Sequence, residues 1–294
     1  MLNRAARTDL IQQLRTPMRP NKLRATAETL MKGTRYTDLN RFLKALQDGA
    51  IIHACSLESR NGKRWRLYSS HPIEEFAPHQ IAAALFPDGY FCNLTAIYHH
   101  GLTHQVPNSV YICHETIRPR KRVSTEPPSE SAIRTAFLKP HRHTNLVIPF
   151  QGHDLIVLDR ARDTDYGVVD VRHDGHLCPA GSRITCLERT LIDSVVAPQY
   201  NGGLTSLPSY FKAARKKMNI EKLIILYGQL RFLYPYAQAI GFMLDSAGMK
   251  KQADQLRKTY PPRRKFFIDH GAKTAWRFNE RWMLYHPGEL TYED

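Results

Sequence analysis

The sequence is short of acid. Against 42 Lys and Arg it holds 27 Asp and Glu, leaving a formal net charge of +15. An excess of that size favours a polyanionic partner, although charge alone does not separate DNA, RNA and an anionic membrane surface. Cysteine is scarce as well: Cys55, Cys92, Cys113, Cys178 and Cys186, with no C-x-x-C pair. An odd number without paired spacing argues against a disulfide framework or a zinc site and points to a reducing compartment. No apolar run approaches the ~20 residues of a membrane span. The opening Met1-Leu2-Asn3-Arg4-Ala5-Ala6-Arg7 lacks the apolar core of a signal peptide. A cytoplasmic protein with no membrane partner is therefore the expectation. There is no P-loop, G-x-S-x-G, H-E-x-x-H or G-x-G-x-x-G, so the common phosphate-cradling, hydrolase, metalloprotease and dinucleotide signatures are missing.

What is there begins with uneven charge. Residues 1–70 hold 14 Lys and Arg against 5 Asp and Glu, an excess of nine in the first quarter of a 294-residue chain. A chain of this length suggests about two domains. In the basic quarter, Lys22 to Ser69 reads as helix, tight turn, helix and basic two-stranded ribbon, the order of a winged helix-turn-helix. The second helix starts near Thr37. Leu39, Phe42, Leu43 and Leu46 recur at three- and four-residue steps and so share a face. Asn40, Arg41, Lys44 and Gln47 lie mostly away from it, and such side chains contact base edges and phosphates. Gly49 marks a helix stop. Ile51 to Leu57 then reads as a strand, Asn61-Gly62 as a hairpin turn and Trp65 to Tyr68 as the returning strand. The tip collects Arg60, Lys63 and Arg64. A DNA-contacting arm of Arg4, Arg7, Arg15 and Arg19 is a weaker alternative to a first helix, near Thr8–Arg15, that simply packs on this unit.

The larger remainder, 71–294, reads as α+β. Helices are expected at Pro78–Leu85, after Asn93 as cap, after a Thr185-Cys186-Leu187-Glu188 capping box, and over Leu207–Met218, Ile220–Leu233 and Tyr236–Ala247. Strands are expected at Tyr90–Cys92, Val110–Cys113, Asn145–Phe150, His153–Leu158, Tyr166–Arg172, Arg263–Asp269 and Thr274–Tyr285. Residues 115–131, rich in Pro, Ser, Glu and Arg, read as a loop. Strands followed by clustered helices suggest α+β rather than alternating α/β.

The best case for catalysis is a metal-dependent nuclease of restriction-endonuclease type. Asp154 and Asp170 fall on expected strands, and two carboxylates can hold Mg²⁺ beside a scissile phosphate. Arg172 stands where such sites carry Lys, and a further metal-ligating acid is lacking. His99 and His100 point about 100° apart on a helix, which suits a shared metal poorly.

Three segments of the second domain together resemble AbiEi-type antitoxins, a type IV toxin–antitoxin family. Thr95-Ala96-Ile97-Tyr98-His99-His100-Gly101-Leu102 resembles that family's S-A-L-x-x-H-G-L helix. Leu187-Glu188-Arg189-Thr190-Leu191-Ile192-Asp193, followed by Pro198-Gln199-Tyr200-Asn201-Gly202-Gly203, resembles its E-R-T-L-x-D and P-x-Y-x-G-G stretch. Ala239 to Gly248 resembles its L-G-Y-L-L-E-x-x-G helix. Thr95, Ile97 and Phe242 depart conservatively from the pattern. The resemblance implies a repressor that autoregulates its operon and counters a nucleotidyltransferase-like toxin, a stable complex with the toxin not being required. The residues themselves read equally as caps, core and an Arg189–Asp193 pair at i,i+4.

The expectation is thus a DNA-binding transcriptional repressor and antitoxin with no enzyme activity, no cofactor and no catalytic or metal-binding residue. Its candidate partner is double-stranded DNA, an operator with inverted repeats. The candidate DNA-binding residues are Arg35, Tyr36, Thr37, Asn40, Arg41 and Lys44 around the second helix and Arg60, Asn61, Lys63 and Arg64 at the wing. Asn40 and Arg41 are assigned to bases, the other cations to phosphates. The nuclease and an RNA-binding module are the alternatives.

Overall fold

Pro20 and Asp38 set where the second and third helices begin. The structure, a computed structural model, describes residues 4–32, 34–116, 128–161, 165–172, 178–271 and 275–290, so the cationic stretch 118–122 lies outside it. α1 (Arg4–Gln13) turns Leu10 inward, and Leu14 follows one turn on. Pro20 opens α2 (Pro20–Met31), where its missing amide proton is no loss. The Asp38 carboxylate accepts the Arg41 amide at 2.7 Å and caps α3 (Leu39–Asp48). The helix therefore starts just after Thr37, which stays outside it. Phe42 and Leu46 close a small core with Leu10, Leu14, Leu23 and Ala27. The chain leaves α3 through Gly49, but the left-handed residue is Ala50, at φ 50°.

β1 (His53–Glu58) and β2 (Arg64–Ser69) form an antiparallel hairpin. Met18, between α1 and α2, pairs with Tyr68 on β2, each amide donating to the other's carbonyl at 2.8 and 2.9 Å. The two-residue period of a strand gives the hairpin two unlike faces. Cys55, Leu57, Trp65 and Leu67 pack with Ile73, Phe76, Ile81 and Leu85 of the following segment. Glu58, Arg64, Arg66 and Tyr68 alternate with them, and Tyr68 packs on the small helical core. The boundary expected at residue 70 thus runs along a hairpin that serves two cores.

The body continues with α4 (Pro78–Leu85), β3 (Tyr90–Phe91), α5 (Asn93–His99), β4 (Ser109–Thr116), α6 (Glu130–Phe137), β5 (Val147–Phe150), β6 (His153–Ala161), β7 (Val168–Asp170), β8 (Arg183–Thr185) and α7 (Leu187–Val196). α8 (Leu207–Ala214), α9 (Ile220–Leu230), α10 (Tyr236–Ser246) and α11 (Lys250–Thr259) follow, then β9 (Phe266–Phe267), β10 (Trp276–Asn279) and β11 (Leu284–Pro287). Six strands make one mixed sheet in the order β5-β6-β4-β3-β8-β7. β4 lies parallel to β6 and β3 parallel to β8, the other pairs being antiparallel. Phe91, Ile112, Leu155 and Val157 face the core shared with the hairpin and α4. Tyr90, Tyr111, Cys113 and Leu158 alternate with them in a second cluster. The largest core gathers residues of α5 to α11 with Trp282 and the C-terminal strands.

Several elements differ from expectation. α6 begins inside the expected loop, capped by Ser129. α11 was not anticipated. β9 is two residues long, and the strand expected at Thr274–Tyr285 is, over its described residues, the antiparallel pair β10 and β11 rather than one strand. The capping box does not form. Thr185 remains in β8 with its hydroxyl 2.8 Å from that of Thr190, and Cys186 takes the cap position. Glu188 instead accepts the Asn219 amide at 3.0 Å and pairs with Lys222 at 2.9 Å. Asn93 does not cap through its side chain either. It is buried and left-handed (φ 51°), its Oδ1 accepting from Asn201 Nδ2 at 3.1 Å.

Candidate nucleic-acid interface

Burial of Phe42 and Leu46 fixes which side of α3 meets water. Asn40, Arg41 and Lys44 are all exposed on it. The lead-in is held from within: the Thr34 hydroxyl accepts the Tyr36 amide at 3.2 Å, and the Tyr36 ring lies 5.4 Å from that of Phe42. Tyr36 is therefore half buried, an anchor for the turn. Arg35 is exposed with its guanidinium 6.0 Å from the Tyr36 ring, and Thr37 is exposed ahead of the cap.

The hairpin tip is exposed, but its cations have partners within the protein. Gly62 adopts φ +82° and its amide donates to the Ser59 carbonyl at 2.9 Å. The left-handed residue is Gly62 alone, as in a three-residue loop with a bulge rather than a two-residue turn. Asn61 is exposed, its Oδ1 accepting from the Ser59 hydroxyl. Arg60 holds both Asp154 oxygens at 2.9 Å, and its amide donates to the Val147 carbonyl at 2.8 Å. Arg64 pairs with Glu58 at 2.7 Å, and Lys63 lies 5.2 Å from the Trp65 ring. Each tip cation thus already has a neighbour, and Arg60 ties the tip to β5 and β6.

Two cations outside the expected set stand closer to α3. Arg24 of α2 and Arg66 of β2 line, with Asn40, Lys44, Gln47 and Tyr68, a recess of about 340 Å³ floored by Pro20, Leu23 and Leu43. Its lining holds three cations and no carboxylate. Arg66 lies 5.3 Å from the Tyr68 ring. The two-residue alternation of Arg64, Arg66 and Tyr68 is the signal from which Arg66 was readable. Arg19, named for a possible arm, turns to the body: it donates to the Leu85 carbonyl and lies 5.6 Å from the Phe86 ring, and burial lowers its pKa.

The carboxylates proposed for a nuclease do not meet. Asp154 opens β6 and Asp170 ends β7 at the far edge, four strand positions away. At roughly 4.8 Å per strand they cannot share an ion, and Asp154 is engaged by Arg60. Among the described residues no group of three or more His, Cys, Asp or Glu is arranged to hold a metal.

The motif residues of α7 form an internal charge cluster. Asp193 accepts from Arg189 Nε at 3.0 Å and pairs with Arg160 Nη1 of β6 at 3.4 Å, while Arg189 Nη1 donates to the Tyr166 carbonyl at 2.7 Å. The Arg189 and Asp193 side chains have no exposure, and with Arg160 they tie the helix to the sheet. His100 Nε2 donates to the Thr185 carbonyl at 2.7 Å, and burial lowers the pKa of His100.

The fold so defined is α+β, a mixed sheet with helices and a helical, hairpin-bearing N-terminal unit. No family model and no curated protein matches the sequence. Among solved structures the chain is similar to the RV2827C protein from Mycobacterium tuberculosis, with a TM-score of 0.54 and 13% identity over 95% of this chain and 89% of that one. At that identity the likeness is one of fold.

Proposed function

We propose that the N-terminal unit is a winged helix-turn-helix and that the protein is a sequence-specific DNA-binding repressor. One observation carries the reading: Asn40, Arg41 and Lys44 stand exposed on α3, and the recess beside them is lined by Arg24 and Arg66 without an acid. The order α1, Met18 bridge, α2, α3, hairpin is that of winged-helix readers, which lay the last helix of the trio in the major groove. Asn40 and Arg41 contact base edges, and Arg24, Arg35, Lys44 and Arg66 contact phosphates. Arg60 and Arg64 turn from phosphate contacts to holding the hairpin in place. The resemblance to AbiEi-type antitoxins extends the proposal to an antitoxin that represses its own operon and counters a nucleotidyltransferase-like toxin.

The test is a fluorescence-anisotropy titration with the duplex lying upstream of the protein's own reading frame. Arg41→Ala is expected to cost about 1–3 kcal/mol on that duplex, and Arg66→Ala to weaken all duplexes alike and lower the salt slope by about one. Lys63→Ala is expected to do the same more weakly. Wild-type affinity in both Arg41→Ala and Arg66→Ala, or release of the duplex by an equimolar RNA helix of the same sequence, overturns the reading.

A further inference from the structure

A second recess opens in the body, away from the α3 surface. It lies between the end of α9, the start of α10 and the segment after α11, with a volume of about 520 Å³. That is within the roughly 300–1,000 Å³ of small-molecule sites. Tyr227, Phe232, Tyr234 and Tyr260 line it. The Tyr227 ring lies 4.9 Å from Tyr260 and 5.5 Å from Phe232. Arg231, Arg263 and Arg264 also line it, and no Asp or Glu does.

The wall is built from unusual backbone. Arg231 closes α9 in the left-handed region, φ 46°, where glycine is the usual residue. Strain retained by a side chain that lines a cavity points to use of that side chain. At Gly228 a Cβ would fall 2.5 Å from the Tyr260 hydroxyl, so only glycine admits that ring to the wall.

We propose that this recess binds a nucleoside phosphate, either free or as the terminal nucleotide of a strand. Aromatic rings take a base by stacking, whatever its identity. Guanidinium groups offer paired donors to phosphate oxygens, and a lining without carboxylates leaves that attraction unopposed. Arg264 donates to the Pro128 carbonyl, whereas Arg231 and Arg263 are exposed at the mouth and reach the phosphate. A phosphotyrosine peptide shares the ring and the phosphate, so it enters the test as a competing occupant.

Isothermal titration calorimetry on the full-length protein decides it, with AMP, GMP, CMP and UMP as probes and adenosine and inorganic phosphate as half-ligands. A mononucleotide is expected to bind about tenfold or more tighter than either half. Arg231→Gln with Arg263→Gln is expected to raise its Kd about tenfold or more at unchanged Tm, with operator binding intact. A 5′-phosphorylated tetranucleotide binding about tenfold tighter than the mononucleotide supports the strand source, and equal affinity supports the free one. Absence of mononucleotide heat at millimolar concentration, inorganic phosphate binding as tightly, or binding of a phosphotyrosine peptide alone overturns the proposal. Because the readout is separate from operator binding, either reading can fail without the other.

Discussion

His100 stands one turn from Thr95, and its ring points at a strand rather than at solvent. Its Nε2 proton is given to the Thr185 carbonyl, a bond that the neutral and the charged ring can both make, so burial is what favours the neutral form. Burial lowers its pKa from the ordinary 6.5, with the Thr185 carbonyl pulling the other way, and burial lowers His99 and His286 too. A base whose folded pKa is depressed contributes stability above its unfolded value and loses it as pH falls through the folded one. Urea midpoints are therefore expected to drop on acidification from just above pH 6.5, and His100→Gln, which keeps a donor but cannot titrate, is expected to flatten that drop. An identical slope in the variant would sink the assignment. At this scale the sequence was legible where a residue acts through its neighbours in the chain. The apolar face of α3 needs nothing distant, although its cap is Asp38, one position past the expected start at Thr37. That Arg60 is held by Asp154, 94 positions on, had no local sign. Nor did the partners of Glu188, since Asn219 and Lys222 lie on another helix.

Elements were legible in proportion to the apolar rhythm they carry. α3 shows Leu39, Phe42, Leu43 and Leu46 at helical spacing, and α10 is buried along nearly its whole length. α11 hid because only Ala253 and Leu256 are buried in a run of Lys, Gln, Asp and Arg, so no stripe stands out. α6 hid behind a Pro- and Ser-rich approach, although Ser129 caps it. α10 shows what such a helix is for. Gly241 lets the Trp282 indole lie on the helix backbone, and one turn later Asp245 Oδ2 accepts the indole Nε1–H at 2.7 Å. Gly→Ala inside a helix ordinarily stabilises by about 1 kcal/mol. Here the new Cβ would fall 2.1 Å from Trp282 Cη2, and overpacking costs about 1–3 kcal/mol. Gly241→Ala is thus expected to destabilise, and to cost nothing further in a Trp282→Ala background. Chemical denaturation of the four proteins measures that coupling, and a stabilised Gly241→Ala would refute the contact.

For the whole molecule, the uneven charge and the order of the first elements were readable, and the mixed class of the body was too. The six-strand order was not, because β3 and β7 are two and three residues long and their neighbours come from far along the chain. The hairpin was read as a wing, but its second allegiance, through Leu57 and Leu67 to Ile73, Phe76 and Leu85, appears only in three dimensions. One consequence concerns what happens if the chain is cut after Ser70. Cys55, Leu57, Trp65 and Leu67 would lose their cover and become a bare greasy strip on a small basic fragment. Such a fragment is expected to self-associate on light scattering while the entire chain stays dispersed, and a well-behaved monomeric fragment would contradict it. The N-terminal helical unit is no detachable head: whatever pulls or twists the body is felt along the shared hairpin.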